Sequence, residues 1–426
     1  MSVAFLALFA ELAAVALYYF QRHELYYARS RAAAGTIQTP APTLIKFRIS
    51  PYFGFMRTPG LPLTSIVDPE RQGRLAASTI QPAWETIRTN NYGLLSRHDY
   101  PLTPVPGKAF VIGIFGGSVA QWFALQAEQS LIAALKATPE FRKRNILLLN
   151  FASGGYKQPQ QLLLLNYFLA LGQHLDYVVN IDGFNETALA QINLTAGTSP
   201  AMPSMQHMAP LANLASLNPN GETSEQLADL TQVKRRLAEL GASKGQRLLA
   251  LSFAIDELRE NVLVRRSEKL AQALGTAQRG ESLIFLTPTP TPAPANGDGQ
   301  AFRLWAEASR LMQDTLSARQ LRYLHVVQPN QYFSHKAFSG EEAKIALSPD
   351  SVYRKYVEIG YPKLLAAIPP LRAAGVHVLD ATALFDDESQ TIYSDNCCHY
   401  NQRGNDKLAK AVASAMLGGA PARERR

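Results

Sequence analysis

Cysteine is nearly missing from this chain. Two occur in 426 residues, and they are adjacent, Cys397 and Cys398. A disulfide framework is thereby excluded, and the count and spacing do not fit a zinc site. Two reduced, half-buried thiols are the expected state, with a strained vicinal disulfide as the alternative, and no metal or organic cofactor is expected. Tryptophan is scarce at three, and charged residues make up 18%. The formal net charge is +8, yet no basic stripe interleaved with aromatics occurs, so nucleic acid is not an expected partner. The charge suits solubility, or an acidic partner such as anionic lipid head groups or an acidic polysaccharide. There is no internal repeat. No Lys or Arg precedes the first apolar run and no A-x-A-like cleavage site follows it, which argues against a removed signal peptide.

What is present begins with that run, "MSVAFLALFAELAAVALYYF". At about 1.5 Å per residue it matches a hydrocarbon core of about 30 Å. Residues 1–22 are expected to form an uncleaved transmembrane anchor. The alternative is an amphipathic helix that packs on the protein or on a partner subunit. Glu11 is the one charge inside the run. Arg22, Arg29 and Arg31 follow it, and the positive-inside rule would then place the main domain in the cytoplasm. Residues 23–107 read as a linker and an irregular leading segment rich in Pro, Gly and Thr.

From residue 108 apolar strands alternate with helical patterns, the signature of a parallel α/β sheet. "AFVIGIF", "NILLLNF", "LDYVVNI", "YLHVVQP" and "VHVLDAT" are the expected strands. Helices are expected near 120–141, over "QPQQLLLLNYFLALG", near 223–240, 250–275 and 350–374, and over "NQRGNDKLAKAVASAML". The stretch of about 190–320 reads as a helical insertion. The core spans 108–417, and 418–426 is expected to be a disordered tail.

Ligands bind beyond the carboxyl ends of the strands of an open parallel sheet. Polar clusters fall there in "FGGSVA" (Ser118), "NFASGGY" (Gly155, Tyr156) and "DGFNE" (Asp182, Asn185), and a fourth precedes the last helix in "SDNCCHYNQRGN" (Asp395, His399). Taken alone, Ser118 reads as a helix cap, Asn185 as another and His399 as a packed loop histidine. Taken together they suit acyl transfer to a serine. Ser118 supplies a hydroxyl, His399 a base near neutral pH, and Asp395 an orienting carboxylate. The amides of Ser118 and Gly155 and the side chain of Asn185 would donate to an oxyanion. Tyr156, Lys157 and Gln158 are candidates to line a substrate pocket. Asp182 is a candidate substrate contact or a loop brace. His174, His207 and His325 read as structural.

These four blocks, in this order, resemble the SGNH (GDSL-like) hydrolase superfamily, and the leading segment "PYFGFMRTPG" with "TNNYGL" resembles a region of some membrane-anchored bacterial members. The resemblance covers about 108–185 and 322–417. It implies a flavodoxin-like parallel sheet flanked by helices, a serine ester hydrolase without a cofactor, and the roles just named for Ser118, Gly155, Asn185 and His399. The family's spacing is Asp-x-x-His. Here Asn396 holds that position and Asp395 lies one residue further away. Either the loop carries an extra residue and Asp395 orients His399, or the site is a Ser-His pair with a weaker orienting group. For an anchored bacterial member the implied substrates are O-acetyl esters of a cell-envelope or exported glycan. That places the domain on the periplasmic side of the inner membrane, against the charge rule. Acyl transfer, lipid ester or thioester hydrolysis, and a non-catalytic role in a membrane assembly or in glycan binding remain the alternatives.

Overall fold

The computed structural model describes residues 3–28, 47–66, 87–103, 109–208, 221–244, 247–276, 292–295 and 297–418. In chain order the elements are α1 (Val3–Arg22), the hairpin strands β1 (Phe47–Ser50) and β2 (Gly54–Arg57), β3 (Phe110–Gly116), α2 (Ser118–Gln126), α3 (Glu128–Lys136), β4 (Ile146–Asn150), α4 (Gln160–Ala170), β5 (Tyr177–Asp182) and α5 (Phe184–Thr195). They continue with α6 (Gly221–Lys244), α7 (Ala250–Thr276), α8 (Gly297–Ala318), β6 (Arg322–Val327), α9 (Arg354–Ala373), β7 (Val378–Asp380) and α10 (Gln402–Gly418). Short helical turns occupy Tyr26–Ala28, Leu63–Ile66 and Gly340–Ala346. The expected tail falls almost wholly outside the described residues. The chain divides into two compact units, Met1–Leu44 with Ala212–Pro288, and Ile45–Leu211 with Thr289–Arg426.

The second unit is built on a five-stranded sheet of order β4-β3-β5-β6-β7. Every pairing is parallel. Counted within the sheet this is 2-1-3-4-5, the flavodoxin-like order, with its switch point between β3 and β5. Both central strands are buried along their whole length. That is why they read as unbroken apolar runs instead of alternating ones. The helix expected near 120–141 is two, broken at Ala127.

Two stretches of this unit differ from expectation. The leading segment is not wholly irregular: β1 and β2 form an antiparallel hairpin that sends Phe53 and Phe55 into the core. The stretch of about 190–320 is not one insertion. Its last helix, α8, belongs to the sheet unit, because Phe302, Trp305, Met312 and Leu316 recur at helical spacing and bury in the core. What leaves the sheet unit is the stretch 212–288.

The first unit is helical. Residues Phe5–Arg22 of α1 have a mean hydropathy of 1.3, long and apolar enough to cross a membrane. One face of α1 carries Ala14 and Tyr18, which bury against Phe253 of α7 and Tyr26. The Glu11 carboxylate lies on the same side. It accepts from the N–H groups of Ala250 (2.6 Å) and Leu251 (3.0 Å) and from the Tyr27 hydroxyl. The charge inside the apolar run is thus the cap of α7, held by the positive end of that helix. Lys244 pairs with Glu260 at 2.6 Å and Arg266 with Asp229 at 2.9 Å, so α6 and α7 run antiparallel.

Candidate active site

The site is assembled at the carboxyl ends of β3, β4 and β5, beside the switch point. β3 ends at Gly116, and Gly117 is the N-cap of α2. Ser118 is therefore the first helical residue and not the cap, and its hydroxyl faces elsewhere. Ser118 Oγ lies 2.7 Å from His399 Nε2. The backbone N–H of a first helical residue has no partner inside its own helix, so it points outward as a donor.

His399 Nδ1 lies 2.5 Å from Asp395 Oδ2. The other oxygen, Oδ1, accepts from the backbone N–H groups of Cys397 (3.0 Å), Cys398 (3.0 Å) and His399 (3.3 Å). The loop winds once around the carboxylate, and that turn absorbs the extra residue in the Asp-to-His spacing. Asn396 stands outside the chain of hydrogen bonds, and its carbonyl accepts from Tyr332 Oη at 2.7 Å. The loop is anchored from the segment after β6. Asn330 Nδ2 donates to the Cys397 carbonyl (3.1 Å) and Gln331 Nε2 to that of Asp395 (3.0 Å).

Gly155 and Asn185 complete the set. Gly155 has φ +81°, and a Cβ there would lie 2.4 Å from His207 Cε1. The position needs a residue with no side chain on both counts. Asn185 sits in the first turn of α5, and its Nδ2 donates to the Tyr156 carbonyl at 2.7 Å. A Cβ on Gly117 would come within 2.2 Å of that nitrogen, so the glycine lets the side-chain amide close over the start of α2. Glu186 holds the turn by accepting from Gly183 N (2.8 Å), Gln158 N (3.1 Å) and Gln161 Nε2 (3.2 Å). Burial lifts its carboxyl to about 8, and Asp182 adds to the shift.

Four residues expected beside the substrate, Tyr156, Lys157, Gln158 and Asp182, are buried. Tyr156 is fully buried, with its hydroxyl donating to the Phe55 carbonyl at 2.7 Å. Asp182 is buried under the sheet end, where Oδ1 accepts from Trp305 Nε1 and pairs with His325 Nε2, both at 2.8 Å, and Oδ2 accepts from Asn180 at 2.7 Å. It braces the core, and His325 is the structural residue expected. Lys157 donates from Nζ to the carbonyls of Pro200 and Met202, and burial pushes its ammonium down to about 7. Gln158 is buried beside it. An apolar-to-polar switch after a strand marks the strand end, but it does not say which polar residue turns inward.

Nothing in the sequence singles out Arg57 or Gln121, and His207 reads there as structural. Arg57 Nη1 donates to Gln121 Oε1 at 2.7 Å, and the same oxygen accepts from Gly154 N at 3.3 Å. His207 stacks on Phe55 with ring centroids 5.0 Å apart, directly over Gly155. Burial, then the charge of Arg57, holds its imidazole down to about 4. The available signal for Arg57 was its alternation with Phe55 in "PYFGFMR", which puts both on one side of the short strand β2. Cys397 Sγ and Cys398 Sγ are 2.8 Å apart, and with His399 they bring three metal-ligating atoms within 4.8 Å of one another. The imidazole nitrogen on that side, Nε2, is the one facing Ser118.

No family model matches the sequence, and no curated protein matches it. Among solved structures the chain is similar to a gut microbial diltiazem-metabolizing enzyme, at 11% identity and a TM-score of 0.36, over 74% of this chain and 49% of that one. It is also similar to a lipase/acylhydrolase from Enterococcus faecalis, at 10% identity and a TM-score of 0.32, over 74% of this chain and all of that one. The chain spans about half the length of the first of these. Likenesses this distant bear no functional weight, so the functional reading rests on the residues around Ser118.

Proposed function

We propose that the protein is a serine ester hydrolase of SGNH type, with Ser118 as nucleophile, His399 as general base and acid, and Asp395 as the orienting carboxylate. One observation carries the reading: a continuous chain of hydrogen bonds runs from Ser118 Oγ through both ring nitrogens of His399 to Asp395. Asp395 accepts from Nδ1–H, which leaves Nε2 with the lone pair that can take the serine proton.

As Ser118 Oγ bonds to the ester carbonyl carbon, its proton passes to His399 Nε2. The carbonyl oxygen becomes an oxyanion, to which the N–H groups of Ser118 and Gly155 and the Asn185 side chain donate. A single preorganised donor of this kind is worth about 3 kcal/mol in the transition state. Collapse of the intermediate breaks the bond to the alcohol oxygen, which leaves with the proton from Nε2. Water then attacks the acyl-enzyme, gives its proton to His399, and the acid is released as Ser118 regains the proton.

The substrates we assign are O-acyl esters, acetyl esters of a cell-envelope or exported glycan first among them. α1 would hold the protein at a membrane, with the site on the periplasmic side. The same acyl-enzyme would acylate a sugar hydroxyl if the acceptor excluded water. The test is labelling with a fluorophosphonate probe, wild type against Ser118→Ala, followed by peptide mass mapping. A single adduct on Ser118, absent from the variant, is expected. Folded protein that takes no adduct and cleaves no acetyl ester would overturn the reading.

A further inference from the structure

Arg57, at the end of β2, is 6% exposed. Its surroundings are neutral. Nη1 donates to Gln121 Oε1 (2.7 Å) and lies 3.5 Å from Ser153 Oγ. The guanidinium carbon sits 5.3 Å from the centroid of the Phe47 ring. No carboxylate of the described residues pairs with it. Nε is buried without an acceptor, and Nη2 donates to nothing among the described residues. Burial lowers its pKa only to about 10, so the group remains a cation at neutral pH. Buried charges are costly unless an opposite charge or a set of hydrogen bonds answers them. Here only one of the three nitrogens has a short bond.

The unanswered part has a direction. Nε and Nη2 form one edge of the guanidinium, the edge that takes a carboxylate side-on through two parallel hydrogen bonds. Nη2 lies 3.4 Å from the place a Cβ on Gly154 would occupy, and Ser118 Cβ lies 3.7 Å from that same place. The cation and the serine side chain therefore both border the space that Gly154, with no side chain, leaves open. The other basic group of this wall, His207, is kept neutral by its burial and by Arg57 itself. Tyr156, also adjacent, has its hydroxyl committed to the Phe55 carbonyl.

We propose that Arg57 is a specificity residue that binds a carboxylate on the substrate, next to the ester bond that Ser118 attacks. The preferred substrates are then esters of acidic molecules, such as acetylated uronic acid residues. The proposal rests on the reading of Ser118 as nucleophile for its catalytic part, but not for the binding of the anion.

Two probes that differ by one charge test it: an O-acetylated methyl glucuronoside and its methyl ester. Wild type is expected to favour the acid by about tenfold in kcat/KM, as a charge-assisted pair implies. In Arg57→Met the ratio should fall to near one, and Arg57→Lys should retain part of it. A ratio near one in active wild type would overturn the proposal. So would an Arg57→Met variant that loses both substrates in proportion, since Arg57 would then act on the oxyanion or on the fold. Should Arg57→Met not fold, wild type alone decides by competition. Methyl glucuronoside should inhibit hydrolysis of the neutral ester and methyl glucoside should not, and equal inhibition by both would reject the carboxylate site. Calorimetric binding of methyl glucuronoside to Ser118→Ala separates the two readings. Binding without any ester turnover by wild type would sink the nucleophile assignment and leave the anion site standing, and turnover without binding would do the reverse.

Discussion

The two units use similar residues to opposite ends. In the sheet unit the apolar runs are inside, as in β3 and β5, which have no exposed residue. In the helical unit they are outside. Phe5, Leu6, Phe9, Leu12 and Phe20 of α1, and Leu258 and Val262 of α7, all stand exposed. Charges show the same inversion. Glu11 answers the positive end of a helix and is consumed by structure, whereas Arg57 has no opposite charge among the described residues and lies near a serine. A charge satisfied by its own chain stabilises the fold, while a buried charge left open stays available to a ligand.

Substitutions can break this contrast. The largest effect is expected in the sheet unit. Asp395→Ala should lower kcat for an acetyl ester by about ten-thousand-fold, as removal of an orienting carboxylate does elsewhere. Asn396→Ala should stay within about threefold of wild type, because its side chain is outside the hydrogen-bonded chain. Steady-state kinetics on the pair checks this, and the reverse order would put the third residue at 396.

In the helical unit Glu11→Ala removes a cap. The expected loss is about 1 kcal/mol of local stability, visible as faster hydrogen exchange at the amides of Ala250 and Leu251. The kcat of ester hydrolysis should not change. A fall in kcat alongside faster exchange would show that the helical unit takes part in catalysis, and the contrast drawn above would be lost.

A further effect, confined to acid pH, concerns His207. Its folded pKa lies near 4, below the ordinary value of 6.5. Between those values the unfolded chain takes up a proton that the folded protein refuses, so stability must fall as pH drops from 6.5 toward 4. The wild-type Tm should decline across that window, and His207→Gln should flatten this part of the curve. Parallel curves would mean that the imidazole is not held neutral by its surroundings.

The five strands of the sheet, the four polar clusters and the apolar N-terminal helix were legible in the sequence because each is a local signal, whereas the hairpin of β1 and β2 and the helix α8 were not. A buried parallel strand is an unbroken apolar run, and a helix repeats every three to four residues. The serine, glycine, asparagine and histidine could be picked out because each lies beside such a boundary. Other features depended on contacts between distant parts of the chain. Ser118 meets His399 across 281 positions, and Arg57 meets Gln121 across 64. Whether Asp395 or Asn396 turns toward the imidazole depends on a loop wound around one carboxylate. Tyr156, Asp182 and Lys157 looked like pocket residues until burial enclosed them. Periodicity along the chain determined which segments become strands and helices. Tertiary packing decided which polar groups find partners, because a hydrogen bond depends on where two atoms meet in space and not on how far apart they lie in sequence.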